Sequence, residues 1–242
     1  MENNISSFEK YKKEYAKSIN HPEQFWEEKA NNFTWQRKWD NVLSWDFSTP
    51  EVKWVEGGKL NITENCLDRH LEKKGEQTAI KWIANNPNEQ NRDLSYKELH
   101  SEVCKFANVL KNNGAKKGDR ICLYMPMVPE LAIAVLACAR IGAIHSVVFA
   151  GFSAKSLSDR INDADCTILI TADGGFRAEK ITPLKDISDE ALESTPSIKK
   201  CIVLERTKSK ISMKRERDVW WHKEMQEANT NFSAEIMDSE DP

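Results

Sequence analysis

Between Gly118 and Leu204, short unbroken apolar runs alternate with longer stretches whose apolar residues recur every three or four positions. The runs RICLYM (120–125), IHSVVF (144–149), CTILIT (166–171) and KCIVL (200–204) have the length and β-branched content of strands. Helices are predicted from near Pro129 to Gly142, from Ser153 onward, and around Lys185 to Glu193. A parallel return needs a crossover element, so continuous apolar strands separated by amphipathic helices predict a parallel sheet covered on both faces. The pattern is that of an α/β fold with a doubly wound parallel sheet.

Upstream of this series, Ser95 with Glu98 three residues on has the form of a capping box. The helix it opens carries Leu99, Val103, Phe106 and Leu110 at helical spacing as far as Gly114. TAIKWIA and RDLSY flank the turn residues NNPNEQNR and predict an antiparallel hairpin. Asn61 or Thr63 is placed to cap one helix running through Lys74, with Gly75 as its stop.

Residues 1–56 stand apart from residues 57–242. They hold five of the eight tryptophans (Trp26, Trp35, Trp39, Trp45 and Trp54) among charged and Asn-rich segments. Indoles at that density bury large areas. They predict an extension packed through its tryptophans rather than a base-stacking platform, which would need interleaved basic residues. After Glu205, the six basic residues of RTKSKISMKRER read as a solvated loop, DVWWHKEMQEA as a helix, and MDSEDP as an acidic interruption that closes no element.

Charge is dense but balanced, 35 Lys+Arg against 38 Asp+Glu, so no global field would gather nucleic acid or an anionic membrane. The longest uncharged apolar run, Leu131 to Ala139, is far shorter than the roughly 20 residues of a bilayer span. The amino terminus lacks the apolar core of a signal peptide. A soluble, cytoplasmic chain is expected. The six cysteines are widely spaced and form no Cys-x-x-Cys pair, which predicts reduced thiols, several of them in the core. The five histidines are scattered, so no metal site is expected from this chain alone.

Ligands of open parallel sheets bind beyond the carboxyl ends of the strands. Two strand ends here carry informative turns: Phe149-Ala150-Gly151-Phe152-Ser153, opening a helix, and Thr171-Ala172-Asp173-Gly174-Gly175-Phe176-Arg177, with Lys180 close behind. Parallel strands place both turns on one edge, where they could hold a phosphate between a helix N-terminus and an arginine. Equally, they could be ordinary βα turns with Arg177 paired to Asp173 or Glu179. The chain has no G-x-x-x-x-G-K-[ST], no G-x-G-x-x-G and no complete G-x-S-x-G, so neither a Walker cradle, a dinucleotide fingerprint nor a serine-hydrolase elbow is present.

The stretch GDRICLYMPMVPELAIAVLACARIGAIHSVVFAGFSAKSLSDRI resembles the adenylate-forming acyl-CoA ligases, their acetyl-CoA synthetase branch in particular. HPEQFWEEKA and the tryptophans after it resemble that branch's N-terminal extension, and TADGGFRAEK resembles its coenzyme A loop. The resemblance runs from about His21 to the last residue and implies that residues 57–242 are the first part of the AMP-binding domain. It implies a two-step ligase that uses acetate, ATP, coenzyme A and Mg²⁺. Arg177 and Lys180, with Ala178 and Glu179 between them, would meet the nucleotide phosphates of coenzyme A; Phe149, Ala150 and Gly151 would lie along its adenosine. Two residues depart from the family pattern: Ala150 stands where Gly is common, and Glu179 stands where Gly often separates the two cations. The Ser/Thr/Gly-rich loop that grips ATP would begin just after Pro242. The resemblance therefore implies no catalytic residue in this chain, a partner in the remainder of the same polypeptide, and no turnover by the chain alone. A propionate or other short-acyl ligase, and a noncatalytic coenzyme A-binding or purely structural remnant, stay open as alternatives.

Overall fold

The computed structural model describes residues 5–242; the first four residues of the Trp-rich segment lie outside them. The chain divides into two compact units, one comprising residues up to Asn61 together with Ile236–Pro242, the other Ile62–Glu235.

In the first unit, α1 (Phe8–Asn20) and α2 (Pro22–Ala30) form a helical hairpin. The Ser7 hydroxyl caps α1 by accepting from the Lys10 amide, and Pro22 starts α2 at a position where a missing N–H costs nothing. Neither helix has a buried residue, and the ion pairs Lys17–Glu28 and Lys29–Glu14 link them. A hairpin of β1 (Asn41–Asp46) and β2 (Glu51–Glu56) follows. The short strand β3 (Lys59–Leu60) pairs with Met237–Asp238, and the Glu240 carboxylate accepts from the Trp54 amide. The acidic end expected to be an interruption is thus tied into this unit, because a strand edge and free amides are available to it. Four of the five indoles meet in edge-to-face pairs, Trp26 with Trp54 at 5.7 Å and Trp35 with Trp39 at 5.1 Å, and Trp45 meets Phe47; Trp26, Trp45 and Trp54 stay exposed, so the tryptophans bury less than the sequence predicts.

The second unit opens with α3 (Ile62–Cys66), a 3₁₀ turn at Asp68–His70 and α4 (Leu71–Lys74). The single helix expected here is broken at Leu67, whose side chain is buried, and the break presents Asp68 to Arg140. Thr63 lies within α3, where its hydroxyl accepts from Arg140. The hairpin of β4 (Thr78–Trp82) and β5 (Arg92–Ser95) leads into α5 (Tyr96–Asn112), opened by the complete Ser95/Glu98 capping box.

There follow β6 (Arg120–Tyr124), α6 (Pro129–Arg140), β7 (Ile144–Val147), α7 (Ala154–Ala164, capped by Ser153) and β8 (Ile168–Ala172). Next come β9 (Gly175–Arg177), β10 (Lys180–Thr182), α8 (Leu184–Ala191) and β11 (Lys200–Leu204). The last elements of the unit are β12 (Asp218–Trp220) and α9 (Trp221–Glu227). The sheet has five parallel strands in the order β12-β11-β8-β6-β7, so the doubly wound α/β architecture is present. Two details differ from the sequence reading. Residues 218–220 form an edge strand on β11 before the helix begins, because the exposed edge of β11 offers hydrogen bonds that a first helical turn cannot use. And β7, at the opposite edge, is only half covered, with His145 and Val147 exposed.

Every residue of β8 is buried, as are four of five in β6 and β11, the pattern of strands covered on both faces. Crossovers between parallel strands are right-handed. The step from β6 out to β7 and the return past β6 to β8 run in opposite directions, so α6 and α7 lie on opposite faces. Accordingly α6 packs with α5, and α7 with α8. Five of the six cysteines are buried, and Cys66 is exposed.

Two buried charge networks brace this unit. Arg140, 3% exposed, donates to both oxygens of Asp68 (2.8 and 2.9 Å), to Thr63 Oγ1 and to the Phe232 carbonyl. Burial pushes the Asp68 carboxyl up, but the hydrogen bonds of His100 and Arg140 outweigh it and hold it well below the usual range. His100, bonded to Asp68, is raised to about 9. On the other face Lys185, fully buried, places Nζ 2.6 Å from Asp189, 3.0 Å from Asp218 and 2.9 Å from the Ser212 carbonyl. Arg217 bridges the same two carboxylates at 2.5 Å each.

Candidate functional site

The order of strands in the sheet reverses around β6, so the loops after β6 and β8 leave toward opposite faces and open a crevice beyond their carboxyl ends. A groove of about 640 Å³ lies there. Three strand ends contribute to it: Met125–Val128 after β6, Val147–Gly151 after β7, and Gly175–Ala178 after β8. The two turns selected from the sequence thus share one groove, but they are not direct neighbours. β6 lies between β7 and β8, and its Met-Pro-Met-Val loop forms the floor between them.

Phe149, Ala150, Gly151, Arg177 and Ala178 all line the groove; Glu179 and Lys180 do not. The reason is local. The segment expected as a βα turn is a β-hairpin in which Arg177 pairs directly with Lys180. Its two-residue turn is Ala178-Glu179, with Ala178 at φ 52°, a left-handed conformation that costs an L-residue roughly 1 kcal/mol. The hairpin lifts its tip off the sheet and leaves residues 176–180 exposed. Among the described residues the Arg177 side chain has no ion-pair or hydrogen-bond partner, and neither the Asp173 nor the Glu179 pairing considered from the sequence is formed. The side chains of Lys180 and Glu179 are likewise unpaired among the described residues, so Glu179 does not neutralise the neighbouring lysine.

Asp173 serves a different purpose. Its carboxylate, 1% exposed, accepts from the backbone amides of Gly174, Arg206, Thr207 and Ser209 at 2.7–3.1 Å. The close approach leaves no room at Gly174, where a Cβ would come within 2.6 Å of Thr207 Oγ1. On the β7 side, Phe149 is 61% exposed and meets Phe152 edge to face at 5.7 Å. The Tyr124 hydroxyl, at the end of β6, donates to the Phe152 carbonyl at 2.7 Å and fixes that loop to the sheet.

Sequence reading missed Trp82, Asn85 and Arg206, which come from the β4–β5 hairpin and the segment after β11 yet line the same groove. Their only sequence signals are an aromatic at a strand end and the first cation of a basic run. The arrangement combines exposed aromatic faces, backbone turns and an unpaired guanidinium, which suits a planar base carrying a phosphate. Among the described residues no group of three or more His, Cys, Asp or Glu converges to hold a metal ion. Burial pushes the Cys138 and Cys201 thiols up to about 12, so both are protonated at neutral pH.

A doubly wound α/β domain with an aromatic and cationic groove at its carboxyl edge is the class these features define. Residues 67–242 match the family model of the AMP-binding enzymes, and residues 11–66 match that of the acetyl-coenzyme A synthetase N-terminus. The chain belongs to the AMP-binding enzyme family. It is 50% identical to an acetyl-coenzyme A synthetase of Bdellovibrio bacteriovorus over 96% of its length. It is 53% identical to that of Rubrobacter xylanophilus over 94%. It spans only 36% and 35% of those two relatives. The fold matches the acetoacetyl-CoA synthetase of Streptomyces lividans with a TM-score of 0.84 at 21% identity, over 94% of this chain and 34% of that one.

Proposed function

We propose that this chain is part of an acetate–CoA ligase and supplies some of its coenzyme A surface. In the reaction, an acetate oxygen attacks the α-phosphorus of ATP and pyrophosphate leaves. The coenzyme A thiol then attacks the acyl carbon, loses its proton and displaces AMP. Mg²⁺ would screen the phosphate charge in the first step. No residue described here is assigned to it. The chain spans about 36% of the relatives' length, so we assign the ATP chemistry to ligase sequence outside these residues. The chain alone is expected to bind coenzyme A without turnover.

The observation that carries this reading is Arg177, an unpaired guanidinium at the lip of a groove walled by Phe149, Ala150 and Gly151. Its fork suits the 3′-phosphate of the nucleotide, with Lys180 across the hairpin as a second cation and the Phe149 ring toward the adenosine. Ala178 and Glu179 form the turn that holds the two cations apart.

Calorimetric titration of coenzyme A and of its 3′-dephospho form tests this. The parent chain should prefer the phosphorylated form, and Arg177→Ala should bind it about tenfold more weakly, a loss of 1.4 kcal/mol, with the preference narrowed. Equal binding by parent and variant would remove Arg177 from the site. In a ligase that includes this chain, Arg177→Ala should leave acetate-dependent exchange of pyrophosphate into ATP intact, and competition between acetate and propionate would set the acyl preference.

A further inference from the structure

The groove holds a second arginine whose situation is the opposite of the first. The Arg206 side chain is 16% exposed, and its guanidinium is ion-paired within the chain. Nη2 lies 2.7 Å from Glu89 of the β4–β5 loop, and the guanidinium carbon sits 4.8 Å from the Phe176 ring and 5.4 Å from the Trp82 ring. Its backbone is held as firmly, because the Arg206 amide donates to the buried Asp173 carboxylate at 2.7 Å. The same two elements meet again at the hairpin tip, where Asn85 Nδ2 donates to the Ala178 carbonyl at 3.1 Å. Trp82 in turn donates its indole N–H to the Met127 carbonyl in the floor of the groove at 2.9 Å.

We infer that Arg206 is a positioning residue: it clasps the hairpin carrying Arg177 to the β4–β5 loop, so that the strand bearing the unpaired guanidinium is held at the groove. Phe176 immediately precedes Arg177, so fixing its ring fixes the strand from which Arg177 projects. A planar cation lying over two aromatic faces, with one nitrogen on a carboxylate, does this better than an ammonium can. Its charge is matched by Glu89 within the chain rather than left open like that of Arg177. Its contribution is to reduce the ordering the hairpin must undergo on binding. This inference rests on the coenzyme A reading for its consequence but not for its geometry.

The test compares parent, Arg206→Ala, Arg206→Lys and Arg177→Ala chains. Amide hydrogen exchange without ligand should accelerate at residues 175–182 in Arg206→Ala and remain unchanged in β6, β8 and β11. Arg206→Lys, which can keep the Glu89 pair but not the flat stacking, should recover part of that protection. Coenzyme A affinity should fall about five- to tenfold in Arg206→Ala, with Arg206→Lys intermediate. Unchanged exchange in the hairpin would overturn the proposal, as would acceleration spread evenly through the sheet, which would make Arg206 a general stability residue. A parent chain that does not bind coenzyme A would overturn the functional reading instead, while the exchange result still decides whether the clasp exists.

Discussion

Lys185, fully buried behind β8, has three acceptors within 3.0 Å, whereas the Arg177 side chain, at the carboxyl edge of the same sheet, has no partner among the described residues. The interior cation is neutralised on the spot because an unpaired charge there would cost several kcal/mol. The edge cation remains hydrated and open, which costs the fold almost nothing and leaves its hydrogen-bonding fork available. Arg140 and Arg206 repeat the contrast in milder form. Both are largely buried and ion-paired, one joining α3, α6 and the Phe232 segment, the other joining two loops at the groove. Pairing within the chain marks a structural charge; its absence at a sheet edge marks a charge available to a ligand.

The largest expected effect is at the interior end of this comparison. Asp218→Ala removes a carboxylate from both Lys185 and Arg217 and should destabilise the chain by about 3–5 kcal/mol in urea unfolding. A loss under 1 kcal/mol would show that water reaches Lys185. Asp218 is held below the usual carboxylate range: burial pushes it up, but Arg217, the Lys214 amide and Lys185 outweigh that. Its stabilising contribution is therefore present above the unfolded carboxyl pKa and lost as pH falls through the folded one.

Next comes Arg140→Met, which leaves Asp68 without the two hydrogen bonds from Arg140 and should cost about 2–3 kcal/mol in the same assay. The partial exposure of Asp68 keeps this below the first effect. A smaller effect belongs to His100. Its pKa is raised to about 9 in the fold, so its stabilisation is complete below the ordinary histidine value near 6.5 and lost as pH rises through about 9. The stability difference between parent and His100→Ala should shrink by roughly 1–2 kcal/mol over that window once solvent screening is allowed for. A difference that stays flat would show that Arg140, 3.4 Å from the ring, keeps His100 neutral. The smallest change in stability is expected for Arg177→Ala, within about 0.5 kcal/mol of the parent. A large loss there would erase the distinction between the two ends of the sheet.

The pattern of apolar runs was enough to read the sheet, its helices and the Ser95/Glu98 cap, because each depends on residues within a few positions of one another. It failed at Leu67, where a buried leucine and the Arg140–Asp68 pair break the expected helix, and at residues 218–220, where a vacant strand edge captures residues that locally favour either state. The candidate site was half legible. Both turns were found because parallel strands must send their carboxyl ends to one edge, and both line the groove. The hairpin at Arg177, which sets Lys180 opposite it, was not.

Local patterning therefore determined which segments are strands and helices and which strand ends could bear a ligand. Only the tertiary structure decided that β6 lies between β7 and β8, and that Trp82, Asn85 and Arg206 reach a groove begun by residues far away in the chain. It also decided which cations are spent on the fold and which are left open. The physical reason is range. Hydrophobic periodicity and capping act over a turn or two, whereas strand order and the pairing of buried charges are settled by contacts between residues tens of positions apart.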